Sequence, residues 1–235
     1  HTESLKESIS YYTNNLEIDS VNPSSDKDIF DKVKDLNKYE GLIWGGSSLN
    51  IYSDTKEIRK QIEFMKECQK RIKNILAICW GMQVAVTAAG GVVNRGKNGA
   101  HRGIAHGIVI NQDGLNHPIY KDKDKIFNTP AFNYDEVVTL PKNAILLSSN
   151  KVNNVMALNF ETEFSKIWGI QYHPEITYEK MITLIKFRRK RLLENKSFSD
   201  EKDLESHITM IENEDKITKK ESRMRELKNW LDLIA

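Results

Sequence analysis

Three side chains of this chain have the types needed for acyl transfer through a thiol: Cys79, His173 and Glu175. Cys79 stands where the apolar run Ile75-Leu76-Ala77-Ile78 gives way to a helical pattern, Met82, Val84, Ala85, Val86, Ala88 and Ala89, closed by Gly90-Gly91. A side chain on such a strand-to-helix turn is lifted clear of the sheet. It faces the free N–H groups and partial positive charge of the new helix, a setting that favours the reactive thiolate form of a cysteine. Gly81, two residues on, suits a turn that crowds any Cβ. A cysteine at a strand end is by itself an ordinary small buried residue, so the chemistry needs a second group. The segment Ile167-Trp168-Gly169-Ile170-Gln171-Tyr172-His173-Pro174-Glu175 supplies it: an apolar strand ending in an imidazole, with a carboxylate two residues away. Pro174 stiffens the backbone between base and acid, and the acid can hold the imidazole in one tautomer.

Positioning these groups requires apolar strands alternating with helices, and the chain reads that way. The implied fold class is α/β, a mostly parallel central sheet with helices on both faces. Residues 5–12 read as a helix capped by Thr2 or Ser4, residues 16–21 as a short strand, and residues 29–36 as a helix leading into a strand over 41–44. Residues 55–72 carry Ile58, Ile62, Met65 and Ile72 at helical spacing, an amphipathic helix. After the Cys79 helix, short apolar runs at 92–93, 107–110, 126–127, 144–147, 155–160 and 167–172 alternate with turns, a β-rich stretch with hairpins. From Thr177 the chain is helical and highly charged. Lys186, Arg188, Arg189, Lys190 and Arg191 read as a solvated basic face, and a terminal amphipathic piece carries Leu227, Trp230 and Leu231. The expected organisation is one domain over residues 1–195 and a helical extension over 196–235, docked on that domain or on another subunit.

Three separated motifs give the chain a resemblance to class I, triad-type glutamine amidotransferases, in the style of the glutaminase domain of GMP synthase. The family's elbow G-x-C-x-G-x-Q matches Ala77-Ile78-Cys79-Trp80-Gly81-Met82-Gln83. Its Q-[FY]-H-P-E matches Gln171 to Glu175, and its glycine loop matches Gly41-Leu42-Ile43-Trp44-Gly45-Gly46-Ser47-Ser48. A softer match is Asn133-Tyr134-Asp135-Glu136-Val137, where the family often has a His-x-Asp-x-Val element. The motifs fall in family order between residues 40 and 180, which is far more specific than any one alone. The resemblance implies a flavodoxin-like three-layer fold. It also implies Cys79 as nucleophile on a glutamine side-chain amide, His173 as acid and base, and Glu175 as its orienter. The N–H groups of Gly46 and Trp80 would be the oxyanion hole, and Gln83, Asn133 and Tyr134 would contact substrate. No cofactor or metal is implied. The products are ammonia and a γ-glutamyl thioester, later hydrolysed.

The chain also departs from the family pattern. Ala77 replaces the first elbow glycine, Asn133 stands where many relatives have His, and the bulky Trp80 indole either narrows the pocket or faces a partner. Relatives begin with an apolar strand, whereas His1-Thr2-Glu3-Ser4 already starts a helix; the expectation is that the true N-terminus, a strand's worth of residues, precedes His1.

Composition sets outer bounds. At 235 residues with a net charge of +2, the chain can bury a substantial core and shows no bias toward nucleic acid. Two distant cysteines give no disulfide framework. With no apolar run long enough for a membrane span and no signal peptide visible, the expected compartment is the cytoplasm. The basic, glycine-rich stretch 94–103 lacks P-loop spacing and reads as a loop over the rim of the site; His101, His106 and His117 lack metal-site spacing. Two functions remain open: an amidotransferase subunit feeding ammonia to a synthetase on a separate protein, and a self-sufficient γ-glutamyl peptidase or hydrolase on the same triad. Self-association through the extension is also open.

Overall fold

The apolar run ahead of Cys79 becomes a central strand, buried at every position from Asn74 to Ile78. A strand covered on both faces has no solvent side, which is why the run is continuous instead of alternating. The computed structural model of the chain describes residues 2–234. In chain order the strands are β1 (Gly41–Trp44), β2 (Asn74–Ile78), β3 (Val92–Arg95), β4 (His101–Arg102), β5 (Ala105–Ile110), β6 (Ile126–Thr129), β7 (Phe132–Asn133), β8 (Asp135–Thr139), β9 (Ile145–Ser149), β10 (Ala157–Glu161) and β11 (Lys166–Ile170). The helices are α1 (Thr2–Tyr12), α2 (Lys56–Arg71), α3 (Trp80–Ala88), α4 (Gln112–Leu115), α5 (Tyr178–Phe187), α6 (Arg189–Glu194), α7 (Glu201–Ile217), α8 (Lys220–Arg223) and α9 (Arg225–Ile234).

The central sheet has seven strands in the order β1-β2-β11-β10-β9-β5-β6. The three strands β1, β2 and β11 are paired in parallel, and the remaining pairings are antiparallel. As a result β1, β2, β11, β9 and β6 point one way and only β10 and β5 run against them. Register matters most at one edge. Trp44 lies beside Ala77, and Ile170 lies beside Ile78, so the three parallel strands end level with one another. The glycine loop, the Cys79 turn and the Gln171–Glu175 segment therefore leave the sheet together at its carboxyl edge, where open α/β sheets build their sites.

Helices cover both faces. Thr55 caps α2 by accepting from the Ile58 N–H, and Ile58, Met65, Cys68 and Ile72 turn inward. That cluster runs through Val84, Ala85 and Val86 of α3 and onto β2. Gly90, at φ 85°, ends α3 in the left-handed conformation that glycine adopts without steric penalty. On the other face a second cluster joins Leu76, Ile78 and Trp168 of the sheet to Ile9 of α1 and to Leu227, Trp230 and Leu231 of α9. The Trp230 ring lies so close to Gly41 that a Cβ there would sit 2.6 Å from it. The terminal amphipathic piece thus docks on its own sheet. A third cluster packs α5 and α6 on α7.

One local expectation fails, and two are refined. Residues 16–21 form no strand; Ile18 and Val21 are exposed, and the segment pairs with no strand of the sheet. Residues 29–38 form a 3₁₀ helix that buries Ile29 and Leu36. Nor is the basic segment 186–191 simply solvated. Arg188 stacks over Phe132, and Arg189 pairs with Glu201 and Glu205 of α7. No helix among the described residues is long and apolar enough to cross a membrane.

Candidate active site

Cys79 sits between β2 and α3 with φ 55° and ψ −108°, a backbone conformation that side-chain-bearing residues rarely adopt. Such a residue carries roughly 1–3 kcal/mol of strain and persists only where its surroundings over-determine it. Three features do so here. Its N–H donates to the Ile170 carbonyl at 2.7 Å, tying the turn to β11, and its carbonyl accepts from the Gln83 N–H at 3.2 Å, starting α3. A Cβ on Gly81 would run into the Trp44 carbonyl oxygen at the end of β1, so only glycine lets α3 begin this close to the sheet. The thiol is left at the N-terminus of α3, 5% exposed.

His173 follows β11 by three residues and is held by its own N–H, which donates to the Pro130 carbonyl at 2.8 Å. Its Nδ1 meets Glu175 Oε1 at 2.7 Å, both side chains buried, and the ring also hydrogen-bonds with Cys79. With Nδ1 turned to the acid, Nε2 is the nitrogen that faces sulfur. Burial alone disfavours the imidazolium, but Glu175 and Cys79 outweigh it and raise the His173 pKa to about 10. The ring accordingly holds both its protons at neutral pH.

Gln83 and Gln171 complete the inner shell. Gln171 Nε2 donates toward Cys79 Sγ at 3.6 Å, and Gln83 Nε2 donates to Gln171 Oε1 at 3.4 Å. Gln171 is quoted in the sequence motif without a role there; its amide is a direct neighbour of the thiol. The Trp80 indole does not narrow a pocket or face a partner. It is buried against α2, donating to Gln61 Oε1 at 2.8 Å. Gly46 lies in the loop that leaves β1 beside the Cys79 turn.

The remaining pair is engaged elsewhere. Asn133 Oδ1 meets His101 Nδ1 at 2.8 Å, while its amide donates to the Asp135 carbonyl at 2.9 Å. The Tyr134 hydroxyl meets Ser197 at 3.3 Å, under the Arg95 guanidinium. The basic stretch 94–103 is pinned at its far end, where the Gly103 N–H donates to the Ala131 carbonyl at 2.8 Å, one residue from the carbonyl that holds His173. Burial lowers the pKa of His101, leaving it a neutral partner for Asn133 and Asn150. Among the described residues no cluster of three or more His, Cys, Asp or Glu side chains is placed to hold a metal ion.

Two further contributors are invisible to motif reading. Ser8 of α1 donates to the Glu175 carbonyl at 3.3 Å. Arg223 of α8, 6% exposed, donates to the carbonyls of Pro174 and Ile176, on either side of the acid.

The family model for class-I glutamine amidotransferases matches residues 1–189, and the chain belongs to that family. Among curated proteins it is 30% identical over 166 residues to γ-glutamyl-L-1-hydroxyisopropylamide hydrolase of a Pseudomonas species, covering 69% of this chain and 56% of that one. It is 31% identical over 158 residues to γ-glutamyl peptidase 4 of Arabidopsis thaliana, covering 66% and 61%. The alignments thus span only 56% and 61% of these relatives' length. A glutamine-hydrolysing GMP synthase of a Thermotoga species is 28% identical over 174 residues, 72% of this chain and 32% of the synthase. Among solved structures, a glutamine amidotransferase of Thermotoga maritima superposes with a TM-score of 0.64 at 20% identity, covering 85% of this chain and 79% of the other. At that identity the likeness shows the fold, a central sheet flanked by helices, with five of its seven strands pointing one way.

Two outcomes follow from the geometry. At a backbone conformation suited to glycine, Cys79→Gly will melt no lower than Cys79→Ala, although glycine ordinarily costs up to about 1 kcal/mol against alanine; thermal melts of the two variants check this. The raised His173 pKa stabilises the fold fully below the unfolded value of about 6.5. That contribution fades as pH climbs toward about 10. Urea titrations should show wild type losing stability across this window, and Glu175→Gln losing less.

Proposed function

We propose that this chain hydrolyses the amide of a γ-glutamyl group, with Cys79 as nucleophile, His173 as general acid and base, and Glu175 orienting the imidazole. The observation that supports this reading is one imidazole in contact with Cys79 on one side and with Glu175, at 2.7 Å, on the other. Sγ attacks the γ-carbonyl carbon, a C–S bond forms, and the carbonyl electron pair moves onto oxygen. The N–H groups of Gly46 and Trp80 receive that charge. The Trp80 N–H is the first of α3 and has no carbonyl partner within the helix. Each such donor is worth roughly 3 kcal/mol of barrier. His173 gives its Nε2 proton to the departing nitrogen as the C–N bond breaks. Water then attacks the thioester and loses a proton to His173, and as the C–S bond breaks the γ-carboxylic acid and the Cys79 thiolate are released, restoring the starting state. Gln83 holds substrate beside Gln171.

The leaving group separates two forms of this reading. The names of the Pseudomonas and Arabidopsis relatives, a γ-glutamyl amide hydrolase and a γ-glutamyl peptidase, favour action on γ-glutamyl amides or peptides, a reaction that needs no acceptor subunit. The GMP synthase match favours a glutaminase that passes ammonia to a separate synthetase. The experiment is a comparison of kcat/KM for glutamine, γ-glutamyl alkylamides and γ-glutamyl dipeptides with the purified chain and no partner. The first form expects the alkylamides or dipeptides to exceed glutamine by at least about tenfold, a ratio that pocket contacts alone can supply. Glutamine as the best substrate, or turnover that awaits an added synthetase, would support the second. In both, Cys79→Ala and His173→Ala lose at least about a thousandfold in kcat and Glu175→Ala loses less. Unchanged turnover by Cys79→Ala would overturn both.

A further inference from the structure

The segment that carries His173 and Glu175 is gripped from a part of the chain that lies beyond the family-model match, which ends at residue 189. Arg223 reaches from α8 under the Pro174-Glu175-Ile176 turn and donates through Nη1 to the carbonyls of Pro174 and of Ile176, the latter at 3.0 Å. Ser8 takes the carbonyl between them. All three consecutive carbonyls around the acid are therefore held by side chains from outside the motif. The guanidinium also faces the Glu175 carboxylate electrostatically, along with Tyr12 of α1, Tyr178 of α5 and Asp215 of α7. On the other side of His173, the Tyr172 hydroxyl donates at 2.7 Å to Glu226 of α9, whose carboxylate is paired with the buried Lys123 at 3.1 Å. The imidazole is thus bracketed by two charged residues three apart on the C-terminal helices.

A buried guanidinium is costly unless its hydrogen bonds and charge are used. Arginine is permanently charged and its fork spans two acceptors at once. Here one nitrogen of that group, Nη1, donates to the carbonyls of both of the acid's neighbours. If Arg223 only filled space, a residue of similar volume would serve; donation to both flanking carbonyls fixes the turn that aims Glu175 at Nδ1, and through it the aim of Nε2 at sulfur.

We propose that Arg223 is a positioning residue of the active site: it holds the Glu175 turn so that His173 and Cys79 remain in contact, making the C-terminal helices part of the catalytic apparatus. This rests on the thiol reading given under the proposed function. The test uses the full chain as wild type, Arg223→Met and Arg223→Lys, with thermal melts to establish folding. Two readouts are taken: kcat and KM on the best γ-glutamyl substrate, and the rate at which iodoacetamide alkylates Cys79, followed by peptide mass mapping. The alkylation reading does not depend on which substrate is correct. Misplacing catalytic groups by a fraction of an ångström to an ångström costs up to about a hundredfold. Arg223→Met is therefore expected to lose about ten- to a hundredfold in kcat with KM within about twofold, and to slow Cys79 alkylation in parallel. Arg223→Lys, which keeps the charge and a donor nitrogen on a shorter side chain, should recover part of both. A folded Arg223→Met with wild-type kcat and alkylation rate would overturn the proposal. If Arg223→Met does not fold, a folded Arg223→Lys with wild-type values in both readouts would overturn it instead. A wild-type Cys79 that resists iodoacetamide while the chain still turns over substrate would overturn the thiol reading and this proposal with it.

Discussion

Three parallel strands ending at the same level set the terms for everything at the carboxyl edge of this sheet. Because β1, β2 and β11 stop together, the Cys79 N–H can reach the Ile170 carbonyl, and the first turn of α3 can press against the end of β1. Those two contacts hold Cys79 at φ 55° against its own steric preference. Without them the turn would relax, and the sulfur would no longer stand at the helix N-terminus facing the end of β11. The strain is local, roughly 1–3 kcal/mol, and small against the apolar burial of β2 and α3 that surrounds it.

On that edge, burial and charge work against each other. His173 and Glu175 are both nearly sealed from water, which by itself would favour neutral groups. Their 2.7 Å contact, with sulfur on the other side of the ring, reverses the balance and raises the imidazole's proton affinity. A protonated ring between a carboxylate and a sulfur suits a reaction that must expel an amine, since the departing nitrogen needs a proton as its bond breaks. The same low-dielectric surroundings make the pair intolerant of losing either partner, because the survivor would be left buried and uncompensated.

How much of this was legible in the sequence varied with the kind of signal. Cys79, His173 and Glu175 could be picked out because each combines a reactive type with a strand end, and apolar runs of four or five residues announce strand ends clearly. The register that brings these ends level could only be expected from the family resemblance. The direction of the Trp80 indole was not readable: nothing local says that it turns away from the site to meet Gln61 nineteen residues earlier. Residues 16–21 look like a strand because the apolar alternation is there, but the segment pairs with no strand, and pairing is settled by the whole fold and not by local alternation. Arg223 was the least visible of all. It is one cation in a heavily charged segment, and its use of the carbonyls beside Glu175 depends on α8 folding back across the domain.

Covalent bonding of the Cys79 sulfur to substrate is the step on which the whole mechanism depends. Acid quenching of the wild-type chain during turnover of a γ-glutamyl substrate, followed by peptide mass mapping, reads this directly. A glutamyl adduct is expected on the peptide containing Cys79 and none on the peptide containing Cys68. An adduct on another residue, or turnover at full rate with Cys79 blocked by prior alkylation, would contradict that mechanism.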